Sequence, residues 1–171
     1  MVAIQILSFA ALAIGALAGP IATEETSKPF KIGVTFKDTE TLYLTSTAAA
    51  SKNIADGIEC TITTTQNAGK TIGKLGCGPE KKAFTYSSAH TTKPLEPVAS
   101  DNKNVDWSIN ADDTIKWGAL PAGTEPVAFS RQKNGKANAI FAEVCTTFDH
   151  HKNIAAVKDF WEKGVAKAYY V

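Results

Sequence analysis

The sequence predicts an all-β domain, mainly antiparallel and arranged as a sandwich or barrel, with room for one short helix. Three observations predict it. Apolar residues recur with period two in many short runs, the pattern of strands that bury one face. Clusters of turn-forming residues separate these runs at about ten-residue spacing, as in antiparallel sheets. Nineteen of the 171 residues are threonine, several inside the runs, and β-branched side chains suit a pleated surface.

Each element follows from its local pattern. Ile32, Val34 and Phe36 alternate with Gly33 and Thr35, and the polar turn Lys37-Asp38-Thr39-Glu40 returns the chain through Leu42-Tyr43-Leu44. Ser46 to Asn53 is rich in Ala and Ser and reads as a helical turn or a loop. Ile58, Cys60 and Ile62 alternate with Glu59, Thr61 and Thr63, and Asn67-Ala68-Gly69 reads as a turn into a second strand-like run. Pro94 to Asn104, with two prolines, reads as a surface connection and not a domain boundary. Val105, Trp107 and Ile109 share one face, with Asp106 and Ser108 on the other; that phase places Trp107 in the core. Asn110 to Asp113 turns the chain into Ile115-Lys116-Trp117. Val127 and Phe129 lead to Asn134-Gly135, the strongest hairpin signal, and Ile140, Ala142 and Val144 return. Ile154, Val157, Trp161 and Val165 stand at helical spacing, with Lys158, Asp159, Glu162 and Lys163 opposite. The stretch Ile154–Lys163 therefore stays open between helix and strand.

Residues 1–18 are of another kind. Ile4 to Leu17 is an apolar run ending in Ala16-Leu17-Ala18, small residues of the type signal peptidase accepts, with Gly19-Pro20 next. The run is too short for a comfortable membrane span, and no second apolar stretch follows. We expect a signal peptide over 1–18, a flexible lead-in over 19–29 and a single β domain over 30–171. The protein is then secreted, extracellular or in a cell wall. Export permits disulfides, and the chain has three cysteines. Cys60 and Cys77 flank the expected hairpin, which brings them within bridging reach and stabilises the fold by about 3 kcal/mol. Cys145 is left as a free, buried thiol.

Charge narrows the partners. With 18 basic and 17 acidic residues the net charge is +1, which gives no field for nucleic acid or an anionic membrane. Arg131 is the single arginine, whereas phosphate recognition recruits arginine forks. We expect no nucleic-acid partner, no membrane and a monomer.

The chemistry-bearing residues do not converge. His150 and His151 are adjacent, so in a strand they face opposite ways, and His90 lies far from both. A metal site from His90, His150 and Asp149 has no supporting spacing; no metal and no cofactor are expected. A secreted ribonuclease would need a His or His–Glu pair and a cation, for which His90, His150, Glu143 and Arg131 are the available set. Asp112-Asp113 sit in a turn, as solvated residues do. No nucleophile elbow, HExxH or phosphate loop is present. No catalytic residue is assigned. Aromatic side chains remain: Trp117, Tyr43 and Tyr86 are candidate surface contacts that could stack on sugar rings.

Three stretches resemble one family. They are Phe30-Lys31-Ile32-Gly33-Val34-Thr35-Phe36 with Leu42-Tyr43-Leu44 and Ala48 to Ile58; Trp107 to Ile115; and Ile154-Ala155-Ala156-Val157-Lys158-Asp159. Together they resemble the phialide-associated cell-wall proteins of filamentous fungi over about a third of the chain, whereas the cysteine pattern and Gly118 to Lys136 match poorly. The resemblance implies a mainly β, non-enzymatic, secreted fungal protein. Its role would be a wall component or an apoplastic elicitor or effector recognised by a host, in contact with wall polysaccharide or a host surface component. It also favours a strand at Ile154–Asp159. The alternatives are a small secreted hydrolase, either a ribonuclease or a glycan hydrolase, and a β-barrel that binds a small apolar ligand.

Overall fold

In the computed structural model, residues 23–37, 40–67, 70–84, 97–98, 105–119, 125–132, 139–144 and 161–171 are described. Among them the fold is all-β and antiparallel, as the period-two runs predict. Ten strands belong to one curled sheet. These are β1 (Glu24–Thr26), β2 (Phe30–Thr35), β3 (Thr41–Tyr43), β4 (Glu59–Asn67), β5 (Lys70–Cys77), β8 (Val105–Ile109), β9 (Ile115–Ala119), β10 (Glu125–Gln132), β11 (Phe141–Val144) and β12 (Trp161–Tyr170). The short pair β6 (Ala83–Phe84) and β7 (Pro97–Val98) stands apart.

β2 shows how the sequence sets a face. Phe30, Ile32 and Val34 are wholly buried, while Lys31 and Thr35 point outward. The strand is held on one edge by β12, with Phe30 opposite Tyr170 and Thr35 opposite Val165. Its other edge is shared by β3 and the start of β4. β12 joins the two halves of the sheet, since its N-terminal part also pairs with β10. On its inner face Gly164, Ala166 and Ala168 are small. A methyl group added at Gly164 would come within 2.4 Å of Val34 Cγ1 and 2.8 Å of Phe36 Cε1. The small row on β12 thus makes room for the large row on β2, as close packing requires.

The far half carries the aromatic core. Trp107 on β8 is paired with Trp117 on β9, and their rings stack at 4.4 Å with Phe129 of β10 beside them. The sheet curls until β8 crosses β5 at Gly73. A methyl group there would lie 1.8 Å from the Trp107 carbonyl oxygen, so only glycine permits the crossing. The Gly73 amide donates to Asp106 Oδ1 at 2.7 Å, so a side chain, not a ladder bond, fastens this seam.

Two expectations need correction, one gains detail and one left open is decided in part. The lead-in over 19–29 is not wholly flexible: Glu24–Thr26 forms β1, aligned with Thr63–Thr65 of β4, and the Ser27 hydroxyl accepts from the Ile62 amide at 2.9 Å. These contacts satisfy an edge of β4 that would otherwise be bare. The connection Pro94–Asn104 contains β7. The alternative left open over Ile154–Lys163 is decided for strand from Trp161 onward, where the chain is β12. Pairing on both edges, with Gly164 weakening a helix, outweighs the local period; residues 154–160 lie outside the described residues. The fourth, Trp117, belongs with the site below. The helical element among the described residues is a short 3-10 turn, Ile54–Asp56, capped by the Asn53 carbonyl oxygen of its side chain, which accepts from the Ala55 amide at 3.1 Å.

The hairpin β4–β5 pairs Cys60 with Cys77, and a disulfide joins them. The Cys77 amide bonds to the Lys82 carbonyl, and the Gly78 amide to that of Glu59. The cysteines therefore occupy a site without mutual backbone hydrogen bonds, where Cα atoms come closest: 4.0 Å here.

Candidate functional site

The two ends of the curled sheet differ in chemistry, and the inner row of β12 runs between them. From Glu162 to Tyr170 is eight residues, or about 26 Å of strand.

One end is sealed by charge. The Arg131 guanidinium lies 4.3 Å from the centre of the Phe36 ring. Its Nε and Nη2 reach Glu162 Oε2 at 3.0 and 2.9 Å, and Nη1 pairs with Glu40, which also pairs with Lys52. Glu162 Oε1 accepts from the Lys37 amide at 2.9 Å. Arg131 and Glu162 are only 14% and 10% exposed in their side chains. Lys52 and Arg131 hold the Glu40 carboxyl below the usual glutamate range, against a smaller opposing effect of burial. The single arginine is thus engaged in joining β10, β12 and the β2–β3 turn.

The other end is open. A cleft of about 600 Å³ lies between β1, β4, β5, the β8 strand with its turn, and the end of β12. Its position follows from sequence phase. The inward row of β4 reads Cys60, Ile62, Thr64, and that of β5 reads Cys77, Leu75, Gly73, Thr71. Both rows change from apolar to polar at the same level, so the core gives way to a hydrated mouth. Register then aligns Glu25 of β1 with Thr64, and Thr64 with Gly73, beside which the Asp106 carboxylate is fixed. Glu25 and Gly73 are two strand spacings apart, about 10 Å. Ser108, Asn110 and the half-exposed ring of Tyr170 complete the rim, over an apolar floor of Ile62, Trp107 and Ile109. Glu25 and the hydroxyls of Thr64, Thr71 and Ser108 have no hydrogen-bond or ion-pair partner among the described residues. Among the described residues the lining includes two carboxylates and no lysine or arginine.

The residues singled out from sequence lie elsewhere. Trp117, expected at the surface, is 1% exposed and stacked on Trp107; its phase across the β8–β9 hairpin puts it on the core face. Tyr43 is half-buried on the outer face, its ring edge-on to Tyr169 at 5.3 Å. Both rings lie over Gly33, where a methyl group would meet them at 2.9 and 2.6 Å. Partial burial, and secondarily Tyr169, raises the Tyr43 phenol above its ordinary pKa. That is the packing of tyrosines across a strand glycine. Tyr86, Cys145, His90, His150, His151 and Asp149 lie outside the described residues. Glu143 is in β11. Asp112 sits in the β8–β9 turn, where its carboxyl accepts from the Thr114 hydroxyl at 2.8 Å and the Thr114 amide at 3.1 Å; these bonds lower its pKa. No group of three or more His, Cys, Asp or Glu among the described residues could hold a metal ion.

Fold and cleft define a class: an all-β domain with a disulfide across one hairpin and an open, polar, aromatic-rimmed mouth. No protein-family model, curated protein or solved structure matches the chain. No helix among the described residues is long and apolar enough to cross a membrane.

Proposed function

We propose that the chain is a non-enzymatic secreted fungal protein of the cell wall or apoplast, acting by contact with wall polysaccharide or with a host surface component that senses it. The observation that carries this reading is the open cleft. Its hydroxyls, carboxylates and amide, set above an apolar floor, suit a polyhydroxylated ligand better than a small apolar one. The apolar run at residues 1–18 and the resemblance of later stretches of the chain to phialide-associated wall proteins support export, and the Cys60–Cys77 bridge is compatible with it.

The experiment is sedimentation with insoluble wall polysaccharide, chitin and glucan separately, with release of soluble sugar measured in parallel. Co-sedimentation without sugar release is the expected result. Protein left wholly in the supernatant by every polymer would remove the wall reading, and steady sugar release would replace it with a glycan hydrolase.

A further inference from the structure

We propose that the open cleft selects oligosaccharides carrying free, protonated amino groups over neutral ones. This rests on the reading of the protein as a wall-contact module and adds the substrate class. The argument begins from the cavity and its hydrogen-bonding inventory. A volume of about 600 Å³ is within the range of small-ligand sites and matches a short oligosaccharide. Thr64, Thr71 and Ser108 present hydroxyls that can donate or accept, which suits the ring hydroxyls of any sugar. Tyr170, 50% exposed with its ring edge-on to Phe30 at 6.3 Å, offers a flat apolar surface at the rim for a pyranose.

These features accept many sugars; charge supplies the discrimination. Glu25 stands on one side of the row Glu25–Thr64–Gly73 and Asp106 beyond the other. Among the described residues lysine and arginine are absent from the lining, so none of these neutralises either carboxylate from within the cleft. An anionic sugar would meet repulsion from both sides. A neutral sugar would leave the carboxylates solvated and contribute only neutral hydrogen bonds. An ammonium group donates to a carboxylate in a bond about twice as strong as a neutral one. The roughly 10 Å between the two sides of the row is wide enough for each carboxylate to meet a different sugar unit. Asp106 has a second role at the Gly73 amide, whereas Glu25 is exposed and its charge is free for a ligand.

The test is titration of the full secreted chain with glucosamine oligomers, N-acetylglucosamine oligomers and neutral glucose oligomers of equal length, followed by amide NMR and calorimetry. Glucosamine oligomers should bind at least tenfold more tightly than the other two, shifting amides of Thr64, Thr71 and Ser108, and weakening as salt is raised. Glu25→Gln should remove most of that preference without moving the melting temperature. Asp106→Asn keeps an oxygen for the Gly73 amide and should lower it further; Tyr170→Ala should weaken all three ligands together. Equal binding of neutral oligomers, shifts outside the cleft, or an unchanged preference in Glu25→Gln would overturn the inference. Co-sedimentation with wall polymer while glucosamine oligomers leave the cleft unshifted removes this inference alone. Glucosamine oligomers in the cleft without co-sedimentation remove only the wall reading.

Discussion

Removing the Cys60–Cys77 bridge tests the largest single constraint that the sequence places on this fold. The perturbation is the double variant Cys60→Ala/Cys77→Ala, compared with the wild-type protein under reductant. The bridge closes a loop with a sequence separation of 17. In the chain-entropy account a loop of this length removes about 3 kcal/mol of freedom from the unfolded chain. Both cysteines are buried at 1% exposure, so alanine also leaves a small void in place of each sulfur, worth about 1 kcal/mol for each missing group. Reduction alone should thus cost about 3 kcal/mol and the double variant about 4 to 5. At roughly 2–4 °C per kcal/mol for a chain of this size, the melting temperature should fall by about 6–12 °C on reduction and further in the variant. Thermal unfolding followed by Trp fluorescence is a suitable assay, because Trp107 and Trp117 are stacked in the core. A reduced protein that melts within about 2 °C of the oxidised form would refute the reasoning. So would a double variant more stable than the reduced wild type, because the void contribution would then have the wrong sign.

The glycines give a graded prediction. Gly73→Ala must displace backbone at the Trp107 carbonyl, whereas Gly33→Ala meets side-chain atoms, those of the Tyr43 and Tyr169 rings and the Thr41 methyl. The first should cost about 3 kcal/mol or more and the second about 1 kcal/mol, read by urea unfolding; a reversed order would show that β8 does not cross β5 there. Acid titrates the sealed end. The folded pKa of Glu40 is depressed, so its contribution is present above the ordinary glutamate value of about 4.3 and is lost as pH falls through the lower folded value. Melting curves should therefore show Glu40→Gln less stable than wild type at neutral pH by under about 1 kcal/mol, the gap closing in acid. A gap that persists unchanged in acid would assign the effect to packing.

Much of the fold was legible because its information is local. The β2–β3 turn, the β4–β5 hairpin with its bridge and the β8–β9 hairpin each rest on alternation plus a turn cluster between neighbouring runs. Trp107 followed its phase into the core, and the same phase carried through Ile109↔Ile115 would have taken Trp117 there too. What escaped was long-range. β1 became a strand only because β4 offers it an edge, and β12 became one because β2 and β10 occupy both its sides. No period within Trp161–Tyr170 contains that information, since the partner residues lie some thirty and more than one hundred positions earlier.

The cleft was hidden for a related reason, yet a trace of it was present. A run that continues Ile58, Cys60, Ile62 into Thr64 keeps its phase while losing its apolar character, and the facing run does the same from Leu75 through Gly73 to Thr71. One such change is ordinary strand fraying. Two at the same register level mean that the inward face itself becomes polar, which an all-β domain tolerates only where water reaches between its strands. Glu25 and Asp106 could not be added to this pair from sequence, because one enters through the β1–β4 register and the other through the β8 crossing at Gly73. The same contrast bears on function. Arg131, the residue most suggestive of anion chemistry, is committed to Glu40 and Glu162 at the sealed end, whereas the open end presents carboxylates and hydroxyls. In the reading proposed above, a ligand entering from solution meets the acceptors of the described lining, and that sign decides which sugars the cleft selects.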